Sequence, residues 1–233
     1  MKRPIIAAAF LLLPPFACAA APGSVSASYD MYQNGGQIAV VSETFEAKDG
    51  AYRIASETRA VGLFSLFQRR PLTFTSSGRV TAAGLQPQRF EGKRGDADPR
   101  QVRGDFDWQA GRLEITHDGR SDSLALPAGT QDRLSLLYQF MFLAPAKPRE
   151  IEFSMTNGRK LDRYRYTVRA GVEIETPLGR LTTLHLVKQH RPDESGAEIW
   201  LSPRHGYLPV KLLVVEEDGT RYDQVITRLE IRP

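Results

Sequence analysis

Gly129-Thr130-Gln131-Asp132-Arg133-Leu134-Ser135-Leu136-Leu137-Tyr138-Gln139-Phe140-Met141-Phe142-Leu143 is the one run in this 233-residue chain that reads as a helix. Leu134, Leu137, Tyr138 and Met141 recur at i, i+3, i+4 and i+7, which is one face of a 3.6-residue period. Thr130 stands where a side-chain oxygen can accept a first-turn N–H, and Asp132 sits in the first turn against the positive end of the helix dipole. Pro145, with Ala144 ahead of it, predicts the stop. Leu136, Phe140, Phe142 and Leu143 occupy the rest of the surface, so a helix over about residues 130–143 has no broad face for water and must be buried on most sides. Asp132, Ser135 and Gln139, at i, i+3 and i+7, make a narrow polar stripe that needs polar partners, an entrance or solvent.

On both sides of this run the chain reads as short strands. Asn34-Gly35, Asp49-Gly50, Asp118-Gly119, Asn157-Gly158 and Asp218-Gly219 are turn pairs that accept the positive φ of tight hairpins. The segments between them alternate. Val102, Phe106 and Trp108 oppose Arg103, Asp105 and Asp107; Ile151, Phe153 and Met155 oppose Glu150, Glu152 and Ser154; Tyr164, Tyr166 and Val168 oppose Arg163, Arg165 and Thr167. One wet and one dry face at period two predicts antiparallel sheet. The fold expected is therefore all-β: a large curved antiparallel meander, or an open, spiral, barrel-like sheet, packed around one buried helix.

The first twenty residues read as an export signal. Lys2 and Arg3 form a positive start, Ile5 to Phe16 an apolar run, and Ala17-Cys18-Ala19 offers small residues to a peptidase. That run is too short, and too broken by Pro14 and Pro15, to anchor in a bilayer. The alternative is a lipoprotein modified at Cys18, although Pro15-Phe16-Ala17 lacks the usual aliphatic residue three positions ahead of the cysteine. The mature chain, residues 21–233, is expected to be a single β-rich domain without a transmembrane anchor. Without Lys2 and Arg3 the 31 Lys and Arg become 29 against 27 Asp and Glu, a near balance that argues against a nucleic-acid partner. Cleavage after Ala19 or Ala20 would also remove the only cysteine, so a core rather than disulfides must hold the fold.

Ser77-Gly78-Arg79-Val80, Gly84-Leu85-Gln86-Pro87 with Phe90, Phe106-Asp107, and Gln131 to Tyr138 follow one another in an order that resembles the family catalogued as domain of unknown function 3108. Thr176-Pro177-Leu178-Gly179, Glu198-Ile199-Trp200-Leu201-Ser202 and Tyr207-Leu208-Pro209-Val210-Lys211 continue the match over nearly the whole mature chain. The resemblance implies an exported, β-rich protein of the Gram-negative envelope. It supplies no activity and no site residues.

Catalytic and metal chemistry find little support. The four histidines, His117, His185, His190 and His205, show no zinc spacing, and His185 and His190 fall on opposite faces of one strand, so no metal site is expected. Asp105 and Asp107 project together, as a glycosidase pair would, but from the polar face of their strand, where solvated charges are the simpler account. Asp96 and Asp98 beside Pro99 are turn residues. There is no Gly-x-Ser-x-Gly elbow, no thiol nucleophile after cleavage and no glycine-rich phosphate loop, so no cofactor is expected.

Three readings remain. The leading one is a periplasmic, non-enzymatic binding or carrier module for an apolar ligand such as a lipid or acyl chain. Trp108, Asp132, Tyr138, Phe142, Tyr164, Tyr166 and Trp200 are its candidate binding residues, since apolar pockets are lined by aromatics with a few polar groups. The alternative is a structural or protein-interaction module of the envelope, with Pro209 marking a strand edge or bulge. An enzyme using Asp132 is the third, set against the reading in which Asp132 caps the helix and pairs with an arginine. Separately, Leu63, Phe64, Leu66 and Phe67, followed by Arg69 and Arg70, form an apolar–basic loop that either dips into an anionic membrane surface or folds over the open end of the sheet.

Overall fold

Period-two alternation becomes strand almost wherever it occurs. The computed structural model describes residues 22–95, 98–143 and 149–233. The expected export signal with Cys18, the turn residue Asp96 and the Ala144-Pro145 stop lie outside the described residues. Among those described, the strands are β1 (Ser24–Gln33), β2 (Gly36–Lys48), β3 (Ala51–Ala60), β4 (Leu72–Thr81), β5 (Gly84–Arg94), β6 (Val102–Asp107), β7 (Arg112–His117), β8 (Arg120–Ala125), β9 (Gln131–Asp132), β10 (Glu150–Thr156), β11 (Leu161–Thr176), β12 (Gly179–Lys188), β13 (Gly196–Ser202), β14 (Leu208–Val215) and β15 (Arg221–Arg232). Two helices interrupt them, α1 (Phe64–Phe67) and α2 (Ser135–Phe142), with a 3-10 turn at Pro203–His205.

All fifteen strands join one sheet in the order β8-β7-β6-β5-β4-β3-β2-β1-β15-β14-β13-β12-β11-β10-β9. Two antiparallel meanders are thus joined where β1 pairs with β15, so the first and last strands meet in mid-sheet. The sheet is mixed rather than purely antiparallel, because the two-residue β9 runs parallel to β10. Laid flat, fifteen strands would span about 65 Å. Yet β8 and β9, at its opposite ends, are linked only by residues 126–130, which reach little more than about 20 Å. The sheet must therefore curl until its ends approach, and register shifts in β1, β4, β11 and β13 help it bend. The shift on β13 falls opposite Pro209, so that proline marks a bulge in an interior strand rather than an edge.

Among the described residues the curl does not close with a backbone ladder. Instead the β10–β11 turn clasps the far side through Arg159, whose guanidinium donates to Asp118 in the β7–β8 turn and to the Arg100 carbonyl. Gly158 permits this approach: it has φ +85° and sits so close that a Cβ would lie 2.8 Å from Val102.

Inside the curl lies α2. Leu134 and Tyr138 pack with Phe45, Ile54, Leu85, Leu208 and Val210. Leu136 and Phe140, on the other side, pack with Tyr166, Leu186, Ile199 and Leu201. The helix is buried on most sides, as its composition requires, but it is shorter than expected and begins at Ser135. Gln131 and Asp132 are strand, because Asp132 holds the stopping position. Its Oδ1 accepts the N–H groups of Leu134 and Ser135, while Thr130 turns its hydroxyl to the Pro127 carbonyl instead of capping.

Candidate functional site

Around the start of α2 the core holds two carboxylates. Asp132 accepts the Ser76 hydroxyl at 2.5 Å on Oδ2, and Ser76 is itself bonded to the Tyr52 hydroxyl at 3.0 Å. Ser135 donates back to the Asp132 carbonyl and receives its N–H. On β2, Glu43 accepts from Ser56 on one oxygen and from Tyr138 on the other, each at 3.2 Å. Burial raises the pKa of both acids, against the lowering pull of these donors. All four carboxylate oxygens are therefore engaged by protein donors.

The third member of the polar stripe, Gln139, fastens the helix to the β4–β5 turn. Its Oε1 accepts Leu85 N–H at 2.6 Å and its Nε2 donates to the Ala83 carbonyl at 3.0 Å. Gln131 reaches the Leu85 carbonyl from the other end of the segment. Arg133 points elsewhere: its guanidinium lies 4.4 Å above the Phe74 ring and is surface-accessible, yet enough protein surrounds it to lower its pKa, with Glu43 and Asp132 pulling the other way. The arginine partner expected for Asp132 is thus a serine hydroxyl and two backbone N–H groups.

The candidate ligand residues fall into separate places. Tyr138 and Phe142 meet on Phe45, at ring distances of 5.2 and 5.7 Å. Tyr164 and Tyr166 meet on Phe153, at 6.3 and 5.3 Å, and Phe153 in turn touches Phe140 of α2 edge-on. Trp108 stacks on Phe106 and donates to the Pro87 carbonyl at 2.6 Å. Trp200 faces away from its neighbours Ile199 and Leu201, which pack on the helix side; it stacks on His185 at 4.3 Å, under the Lys211 ammonium. His185 bonds Glu198 on that same face.

These aromatics differ in how well they are covered. Tyr138 is fully buried, whereas Ile151, Phe153, Met155 and Tyr164, all on the α2 side of β10 and β11, are only half-buried, and Leu143 just beyond the helix is exposed. Lys188 stands 5.5 Å from the Tyr164 ring. The opposite face behaves as alternation requires, with Arg163 and Arg165 both paired to Glu152. Glu43 and Phe45 are absent from the residues the sequence singles out, and Phe153 stands there only as a dry-face strand residue. The signal for Glu43 was present: Val41, Glu43 and Phe45 share the parity of a dry face, and a charge there implies a buried, bonded carboxylate.

Asp105 and Asp107 lie on the wet face, where Asp105 pairs with Arg103 and Asp107 accepts Ala110 N–H. Among the described residues no His, Cys, Asp and Glu cluster could hold a metal ion, and no helix is long and apolar enough to cross a membrane. A surface groove of about 360 Å³, flanked by Lys188, His190, Glu194 and Glu216, contains none of the candidate aromatics. The β3–β4 loop does not fold over the sheet. Leu63, Phe64, Leu66 and Phe67 stand out from it, 77%, 44%, 63% and 86% exposed, with Arg69 and Arg70 exposed beside them.

The fold matches that of a solved β-barrel-like protein of domain of unknown function DUF1849 from Brucella abortus. That likeness has a TM-score of 0.58 and 12% identity, and it covers 89% of this chain and 97% of that one. A candidate lipoprotein from Parabacteroides distasonis is a looser match, with a TM-score of 0.36 and 10% identity over 90% of this chain and 95% of that one. No curated protein matches significantly. The family described as "Protein of unknown function (DUF3108)" matches residues 28–225, and the chain belongs to that family.

Proposed function

We propose that the protein is a non-enzymatic binding module of the cell envelope that holds an apolar ligand, a lipid or acyl chain, against the α2 side of β10 and β11. The observation that carries this reading is the incomplete cover of Ile151, Phe153 and Tyr164 in one aromatic cluster beside the exposed Leu143, while Tyr166 and Phe140 beneath them are buried. Apolar sites are built from such aromatic and aliphatic side chains. The buried acids support binding over catalysis, because every carboxylate oxygen of Asp132 and Glu43 already has a donor. In this reading Phe153 and Tyr164 contact the ligand, Tyr138, Phe142 and Tyr166 back the surface, and Asp132 fixes the helix that forms its floor.

Native mass spectrometry of protein isolated from the periplasm, followed by denaturing extraction, tests this directly. A stoichiometric apolar species should co-purify and be lost from Phe153→Ala and Tyr164→Ala while the melting transition persists. A clean apo mass from fresh material refutes the carrier. It would favour the second reading, a protein-interaction module, for which the observation is the sheet edge: among the described residues β8 pairs only with β7, leaving one side of Arg120–Ala125 without a partner strand.

A further inference from the structure

The described chain has six exposed large apolar side chains, and four of them are in the β3–β4 loop. Folding gains little from that arrangement, since Leu63, Leu66 and Phe67 stay mostly exposed, Phe64 is only partly covered and α1 contains no buried residue. The loop is nonetheless shaped. Ser65 bonds the Gly62 carbonyl through both its N–H and its hydroxyl, Leu66 N–H bonds Leu63 and Gln68 N–H bonds Phe64, so one helical turn holds the four side chains at the tip. At its base Arg94 donates to the Arg70 carbonyl, which fixes the returning strand.

Charge decides between partners. Arg69 and Arg70 follow the apolar tip, both exposed, and neither has a carboxylate within ion-pair distance among the described residues. Elsewhere on this surface arginines are commonly paired with acids, as Arg59 with Glu57 and Arg89 with Glu91. An apolar tip backed by unpaired guanidiniums matches the layering of an anionic lipid surface, with acyl chains below and phosphate above. We infer that the β3–β4 loop docks the protein on an anionic lipid membrane, Leu63, Phe64, Leu66 and Phe67 entering the acyl boundary and Arg69 and Arg70 meeting the phosphates. This rests on the loop alone and stands whether or not the β10–β11 face carries a ligand.

The test is co-sedimentation with vesicles of equimolar phosphatidylcholine and phosphatidylglycerol, against vesicles of phosphatidylcholine alone. The protein should partition to the mixed vesicles and hardly to the neutral ones. Leu63→Ser combined with Phe67→Ser should weaken partitioning about tenfold or more, and Arg69→Gln or Arg70→Gln about fivefold each. A Phe67→Trp variant should shift its emission to the blue on mixed vesicles. The inference is overturned if the wild-type protein sediments with neither vesicle, if both serine substitutions leave partitioning unchanged, or if neutral vesicles bind as well as anionic ones. Loop-directed crosslinking to another protein, without vesicle binding, overturns it too.

Discussion

Asp132 is fully buried and Phe67 is 86% exposed, so the start of α2 and the β3–β4 loop depart from the usual partition of side chains in opposite directions. The two departures are resolved differently. At the helix each buried polar atom of Asp132, Glu43 and Gln139 finds a donor or acceptor, so the polar groups act as pins between α2, β2, β4 and β5. In the loop none of the described residues covers the four apolar side chains fully. Carboxylates engaged on every oxygen have an adequate explanation in stability, even with Gln131 Oε1 beside them left without a partner; an exposed apolar patch does not, and points outside the molecule.

Removing a pin should have the largest effect. Asp132→Ala leaves the Ser76 hydroxyl and the N–H groups of Leu134 and Ser135 without their acceptor inside the core. The expected loss is about 2–4 kcal/mol in urea unfolding. Asp132→Asn keeps one acceptor oxygen and should lose less. If Asp132→Asn abolished function with an unchanged melting transition, the carboxylate would be chemical rather than structural, and the contrast with the loop would collapse.

Gly84 tests the next pin. It has φ +86°, and a Cβ there would lie 2.4 Å from Gln139 Oε1, so Gly84→Ala strains the turn and displaces the amide that bonds Leu85 and Ala83. A loss of about 1–3 kcal/mol is expected. In a double-mutant cycle with Gln139→Ala the two losses should be less than additive, because both break the same fastening.

Those residues also show what the sequence could convey. Strand alternation and the turn pairs made the all-β fold legible, and Asn34, Asp49 and Asp118 do adopt positive φ beside their glycines. The pins were not legible, because Glu43 meets Tyr138 and Ser76 meets Asp132 across long stretches of chain that only the curl of the sheet brings together. The helix start was misjudged for a related reason: Asp132 looks like a first-turn acid in the sequence, but its tertiary partner Ser76 holds it in a strand position ahead of the helix. Whether Leu63–Phe67 would fold inward depended on the shape of the sheet, which composition does not encode.

The pin at Glu43 should be visible in pH dependence. Its folded-state pKa lies above the ordinary 4.5, chiefly through burial, so the folded protein binds this proton more tightly than the unfolded chain does. Stability from this group is then fully present below about pH 4.5 and is lost as pH rises toward the raised folded value, with a slope of at most about 1.4 kcal/mol per pH unit for one proton. Glu43→Gln removes that slope. Comparing thermal midpoints of the two proteins from acid to neutral pH should show the wild type losing ground to the variant as pH rises. Parallel curves would mean that the Ser56 and Tyr138 hydrogen bonds offset the burial.

The smallest expected effect falls on the loop, and there the smallness is informative. Leu63→Ser, Phe64→Ser, Leu66→Ser and Phe67→Ser each exchange an exposed apolar side chain for a polar one, so unfolding free energy should stay within about 0.5 kcal/mol of wild type. Similar substitutions at Phe45 or Tyr138 would open the core and cost about 3–5 kcal/mol. If the loop variants proved as damaging as the core ones, those side chains would be packing in solution against the protein itself or a second copy, and the apolar tip would be part of the fold. Unchanged stability with altered vesicle partitioning would instead separate the two regions completely, with polar groups inside holding the sheet to its helix and apolar groups outside serving only the surface they meet.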